Sequence, residues 1–241
     1  MDIPFVGDYQ LLVIPAIVFT GLVQLLFSST LSKYSKINSQ NGLTGQAAAE
    51  RILQLNNITN VPVQPVQGTW SDHYGRGKAK DGTPTQYIGL SEPVFDKTSI
   101  SAIAVAAHEA GHAIQYEQKY ALMTLRNMIR PVSNFGSRFG PWLAGAGVLF
   151  GLDVGLGVLL LDIGIILFGG AVLFSLLTLP AELDASSRAL AILKKSNLLT
   201  PNELKGAKKA LGAAAMTYFA SLLTSCLSML RLILLRRGRK R

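Results

Sequence analysis

Two stretches of this chain are too apolar, and too poor in charge, to belong to an ordinary water-soluble core. Tyr9 to Phe27 has no charged side chain, and between Arg138 and Glu182 the only charges are Asp153 and Asp162. About twenty apolar residues in helical form cross the hydrocarbon layer, so the first stretch is one span and the second can cross twice. Glycines 151, 155 and 157 surround Asp153 and suit the turn of a helical hairpin. A last apolar run goes from about Leu211 to Leu235, broken by Arg231 and by a mildly polar stripe of Thr217, Ser221, Thr224, Ser225 and Ser228. Only 15% of residues are charged, where a soluble domain has about 25%. The expected fold class is a mostly α membrane protein, with transmembrane helices and a small α+β unit in the segments between them.

Asp2 and Asp8 precede the first run with no Lys or Arg, and no small-residue cleavage site follows it. It is therefore expected to remain as a span, not to be removed as a signal peptide. Lys33 and Lys36 follow it, so the positive-inside rule puts the N-terminus outside and residues 30–133 in the cytoplasm. The expected division is one membrane-integrated domain, 1–241, in a multi-pass cell-membrane protein. Its parts are a span at 9–27, a hairpin at 134–180, a cytoplasmic helix at 181–210 and a membrane helix at 211–235. Four spans would leave Arg236 to Arg241 outside, against that rule. The last run then either spans despite its basic end, which its lack of charge before Arg231 favours, or lies at the interface on anionic lipid. The net charge of +9 reports topology and attraction to the lipid bilayer. Without an aromatic-basic stacking motif beside it, no nucleic-acid partner is expected. The single Cys226 excludes a disulfide or a Cys-based zinc site within one chain.

The segments between the apolar runs carry the chemistry. Residues 100–114 read ISAIAVAAHEAGHAI, a helix of small and apolar residues that must be largely buried, with Thr98 or Ser99 as its cap. His108 and His112 are four apart, share one helix face, and can put two imidazole nitrogens on one Zn²⁺. Glu109 falls beside them, where it can act as general base toward a metal-activated water. Two His and a Glu are costly to bury without partners, and a metal supplies them. Upstream, Thr44 caps a short amphipathic helix that ends at Asn56-Asn57. Val61–Val66 and Thr85–Leu90 read as strands flanking a Gly- and charge-rich hairpin or loop at residues 71–82.

A catalytic zinc has three protein ligands and one open position. With no usable Cys, position leaves His73, Glu182 and Asp184 as candidates for the third. Glu182 and Asp184 stand where the chain leaves the hairpin and a helix begins, two apart and so facing different ways. Their ordinary alternative role is to favour a helix N-terminus, with Asp184 and Arg188 as an i,i+4 pair.

Several blocks carry a resemblance over nearly the whole chain. They are Gly42-Leu-Thr-Gly45, Asp72-His-Tyr74, the run from Ala104 to Gln115 around His-Glu-Ala-Gly-His, Leu179-Pro-Ala-Glu-Leu-Asp-Ala-Ser186, and Gly206-Ala-Lys-Lys-Ala210 with Thr217-Tyr218. Through them the sequence resembles the YugP-like neutral zinc metallopeptidases of bacterial membranes. The resemblance implies a cytoplasmic gluzincin-like catalytic unit with His108, His112 and Glu182 as Zn²⁺ ligands and Glu109 as base. More distantly the layout is similar to the HtpX and CAAX-type proteases, in which a membrane hairpin separates the HExxH helix from the glutamate helix. That group places Asp four residues after the Glu, whereas this chain has Ser186, which leaves Asp184 as the weaker alternative ligand or outer partner.

The expected activity is zinc endopeptidase cleavage of peptide or membrane-protein substrates near the cytoplasmic membrane face, a role suited to membrane-protein quality control. His73 and Tyr218 are candidate oxyanion donors, and a substrate strand is expected to add beside Gln86–Leu90. The rival expectation is a non-catalytic scaffold or adaptor, in which His73 joins the other three ligands and closes a structural zinc site.

Overall fold

The computed structural model of the chain describes residues 11–78, 84–153 and 155–238. The elements are α1 (Ile14–Ser35), α2 (Gly45–Leu55), β1 (Val63–Val66), β2 (His73–Lys78), β3 (Pro84–Ser91), α3 (Glu92–Phe95), α4 (Ile100–Glu117), α5 (Ala121–Leu149), α6 (Gly155–Lys195) and α7 (Pro201–Gly238). They form two compact units, one of Leu25–Tyr120 with Ala181–Ala215, the other of Met1–Gln24, Ala121–Pro180 and Met216–Arg241.

The first unit contains the α+β elements. Thr44 caps α2 by accepting from Ala47 N–H, and Asn56 ends it, as its sequence implies. Alanines and an isoleucine on α2 (Ala48, Ala49, Ile52) join the alanines of α4 in one buried cluster, because only small side chains let two helices approach this closely. The sheet has the order β1-β3-β2, with β1 parallel and β2 antiparallel to β3.

That order corrects two expectations. The Gly-rich segment expected as a hairpin or exposed loop contributes a strand of its own, β2, His73–Lys78, antiparallel to β3, while residues 79–83 lie outside the described residues. Its glycines make the pairing possible: a Cβ on Gly75 would stand 2.4 Å from the Tyr87 ring that lies over it. In consequence β3 is the middle strand, paired with β1 along Ile88–Ser91 and with β2 along Pro84–Gly89, so at Ile88–Gly89 it has no edge left for a substrate strand.

The helix expected at 181–210 is also interrupted. Asn197 takes a φ of 53°, and Thr200-Pro201-Asn202-Glu203 forms a capping box, Glu203 accepting from Thr200 N–H (2.7 Å) and Thr200 Oγ1 from Glu203 N–H (3.4 Å). Pro201 in the first turn completes the signal for a new helix.

In the second unit, α5 and α6 form the hairpin, turning at Gly151 with a φ of 90°. Gly136, Gly140, Ala144 and Gly147 run down one face of α5. A Cβ at Gly136 would stand 2.0 Å from the Leu167 carbonyl oxygen, so backbone packs directly on backbone. Asp162, an acid inside an apolar helix, is held by Arg236 through bonds of 2.6 and 3.1 Å. Thr20 and Thr224 share a hydroxyl bond of 3.0 Å, which gives the polar stripe of α7 a partner on α1.

Among the described residues three helices are long and apolar enough to cross a membrane: Ile14–Ser35, Gly155–Lys195 and Pro201–Arg237. The first begins five residues later than the expected span, whose Tyr9 and Gln10 lie outside the described residues. Helix α5 is not among the three. It carries Arg126, Arg130 and Arg138 and two internal prolines, so the two halves of the expected hairpin differ in character.

Candidate metal centre

Helix α4 begins where Ser99 Oγ accepts from Ala102 N–H, and it is buried on nearly every side from Ile100 to Gln115. A helix so enclosed needs small residues wherever a neighbour crosses. Gly111 meets this need at α6: a Cβ there would stand 2.6 Å from the Ala185 carbonyl oxygen. This close approach brings Glu182, on α6, to the face that carries His108 and His112.

His108, His112 and Glu182 each offer one ligand atom, all within 4.8 Å of one another. His108 Nε2 lies 3.1 Å and His112 Nε2 3.3 Å from the same oxygen, Glu182 Oε2. Atoms bound about 2.0–2.1 Å from one tetrahedral zinc stand about 3.3 Å apart, so these distances suit a shared ion. Burial reinforces this, since the three side chains are only 12%, 8% and 3% exposed.

Proton placement makes the need for a cation sharper. Gln115 Nε2 donates to the Ala181 carbonyl (2.8 Å) and to Asp184 (2.7 Å), both of which can only accept. Gln115 Oε1 is thereby an acceptor, and His112 Nδ1–H donates to it at 2.9 Å. A neutral His112 then directs its Nε2 lone pair at a carboxylate oxygen. Two lone pairs at this distance repel unless a proton or a metal lies between them. Burial alone would lower the His112 pKa, but the bond to and charge of Glu182, with the charge of Glu109, outweigh it and hold the imidazole above its ordinary value.

The clustered side chains are braced from behind. His108 Nδ1 bonds Ser186 Oγ at 3.0 Å. Asp184, which sequence left open as a ligand, instead accepts from Gln115 and from Arg188 Nε, and Arg188 reaches on to Gln118. Such outer partners fix the tautomer and orientation of a ligating imidazole. Ser186→Ala is expected to keep the fold and to weaken zinc binding about 10–100-fold, the usual range for outer partners, measured by competition with a metal-sensitive dye.

Glu109 is buried and excluded from the ligand cluster. Its Oε2 accepts from Tyr74 N–H at 2.7 Å, which ties it to β2. Asp72 fixes the start of that strand by accepting from Ser91 N–H and Oγ at 2.7 and 2.9 Å, while burial raises its own pKa in spite of those bonds. His73 is exposed and lies outside the ligand cluster: Nδ1–H donates to the Ser71 carbonyl (2.8 Å) and Nε2 accepts from the Tyr87 hydroxyl (3.1 Å). Tyr218 sits half-buried on α7, in the other unit.

Sequence reasoning did not assign Gln115, Ser186 or Tyr74. Gln115 had one signal, an amide three residues beyond His112 on a helix with no other reason to bury it. Tyr74 acts through its backbone, to which side-chain chemistry gives no clue.

The family described as "Putative neutral zinc metallopeptidase" matches residues 9–237. The "Putative membrane protease YugP" of Bacillus subtilis (strain 168) is 43% identical over 225 residues, covering 93% of this chain and 94% of the relative. No solved structure matches. Family membership implies zinc as the metal, which the His-His-Glu cluster suits in ligand type and spacing. With a match running from the first apolar helix to the last, the chain belongs to the neutral zinc metallopeptidase family.

Proposed function

We propose that this chain is a gluzincin-type endopeptidase of the cell membrane, with His108, His112 and Glu182 as zinc ligands and Glu109 as general base. The observation that carries the reading is the convergence of two imidazole nitrogens on one Glu182 oxygen, with Glu109 buried on the same helix. Zinc bound there supplies polarisation of the scissile carbonyl and acidification of water. Glu109 takes the proton of the attacking water and delivers it to the leaving amine, its carboxylate aimed by the Tyr74 N–H.

Because Tyr74 N–H is directed to Glu109, it faces away from β3, and the outward main chain of β2 lies on the Glu109 side. The substrate strand adds there and not at β3. His73 can serve the oxyanion only if Nε2 carries a proton, since Nδ1–H is committed to Ser71. Its engagement with Ser71 and Tyr87 also weighs against a closed four-ligand structural site.

The charge pattern around the first span supports a cytoplasmic catalytic face, with membrane-protein fragments or cytoplasmic segments as substrates and a role in membrane-protein quality control. The test is cleavage of an unstructured membrane-anchored reporter in proteoliposomes. Activity is expected to vanish on chelation and return with stoichiometric Zn²⁺. Cleavage that survives complete zinc removal would exclude this reading.

A further inference from the structure

We propose that the slot between α6 and the first turns of α7 is a docking site for an acidic amphipathic helix of another protein. Residues 183–194 of α6 and 201–215 of α7, joined through the capping box at Thr200, line a groove of about 560 Å³. Leu183 and Leu190 line it from α6 and Leu204 and Leu211 from α7, Leu211 as part of the buried core and Leu190 and Leu204 packed against that core. Leu183 is 48% exposed, an open apolar contact. From Leu183 to Lys194 the wall is about 17 Å long, three turns of helix.

Gly212 in the groove points to what fills it. A glycine in the interior of a long helix weakens that helix. No neighbour requires it, because an added Cβ would meet nothing within 4 Å. Gly212 leaves that part of the groove without a side chain, room that the backbone of a second helix can use. Lys194, Lys205 and Lys208 rim the groove, and no acid lines it. The occupant is therefore acidic along the flanks of its leucine stripe. A second copy of this chain does not match: its net charge is +9, and none of its described helices carries such a stripe. The inference is independent of peptidase activity.

The probes are fluorescent peptides of about 14 residues, roughly four helical turns, with leucines at heptad spacing and flanking glutamates, in three registers. Anisotropy is read against the full-length protein in phosphatidylcholine nanodiscs. Saturable binding by at least one register is expected, and Gly212→Leu should weaken it about tenfold or more. Since that side chain enters open space, the variant should keep its zinc content and melting temperature. Lys205→Glu with Lys208→Glu should weaken binding to a similar degree and flatten its salt dependence. These lysine variants keep the test open should Gly212→Leu fail to fold. The proposal is overturned if no register binds, if neither set of variants weakens binding, or if a peptide with lysines for glutamates binds as well. It is also overturned if phosphatidylglycerol nanodiscs abolish peptide binding, which would make the groove a lipid site.

Discussion

Glu109→Gln is expected to reduce reporter cleavage by about 10²–10⁴-fold, the range a positioned general base supplies, while zinc stays near one ion per chain. The substitution is nearly isosteric, and its amide oxygen can still accept from Tyr74 N–H, so the contact between α4 and β2 survives. What is lost is the ability to take a proton. The effect should therefore fall on kcat and kcat/KM together, the sign of an interaction needed only in the transition state. Elemental analysis and initial rates on the same preparation separate this from metal loss. Cleavage near the wild-type rate would remove Glu109 from the mechanism.

Glu182→Gln is expected to empty the centre. The carboxylate oxygen within 3.1 and 3.3 Å of the two imidazoles is the only anion in the cluster. A neutral amide oxygen there is a poor ligand for a divalent cation. Zinc affinity should drop by more than the roughly 10–100-fold typical of outer partners. The rise in melting temperature that zinc gives the wild type by binding only the folded state should disappear as well. Asp184→Asn is the paired control. Asp184 braces Gln115 and Arg188, so this variant should retain zinc at reduced affinity. If Asp184→Asn emptied the site while Glu182→Gln kept it, the two acids would exchange roles.

Much of the centre was legible in the sequence because its signals are local. A four-residue spacing on a small-residue helix puts His108 and His112 on one face whatever the rest of the chain does. The caps at Thr44 and at Thr98 or Ser99 follow from hydroxyls placed just before an apolar period, and the structure uses Ser99. The third member of the cluster was only partly legible. Two acids two residues apart are equivalent on paper, and the choice between them is made by the approach of α6 at Gly111, a long-range contact. Strand β2 was not read at all: His-Tyr-Gly-Arg-Gly-Lys has the composition of a loop, and its pairing depends on Tyr87 covering a bare glycine. The break before α7 was readable from Thr200, Pro201 and Glu203, but the hydrophobic period that continues past it hid the cap. In the hairpin, charge-free length announced α6 as long and apolar enough to cross a membrane, whereas α5 is not such a helix and its glycine face is visible only with its partner in view.

Anomalous diffraction at the zinc edge from crystals of the purified full-length protein tests the central claim most directly. The account predicts one strong peak about 2.0–2.2 Å from His108 Nε2, His112 Nε2 and a Glu182 oxygen, with a coordination position left to solvent. A peak ligated by His73 as a fourth residue, or one bound by the two histidines with Glu182 outside coordinating distance, would contradict it.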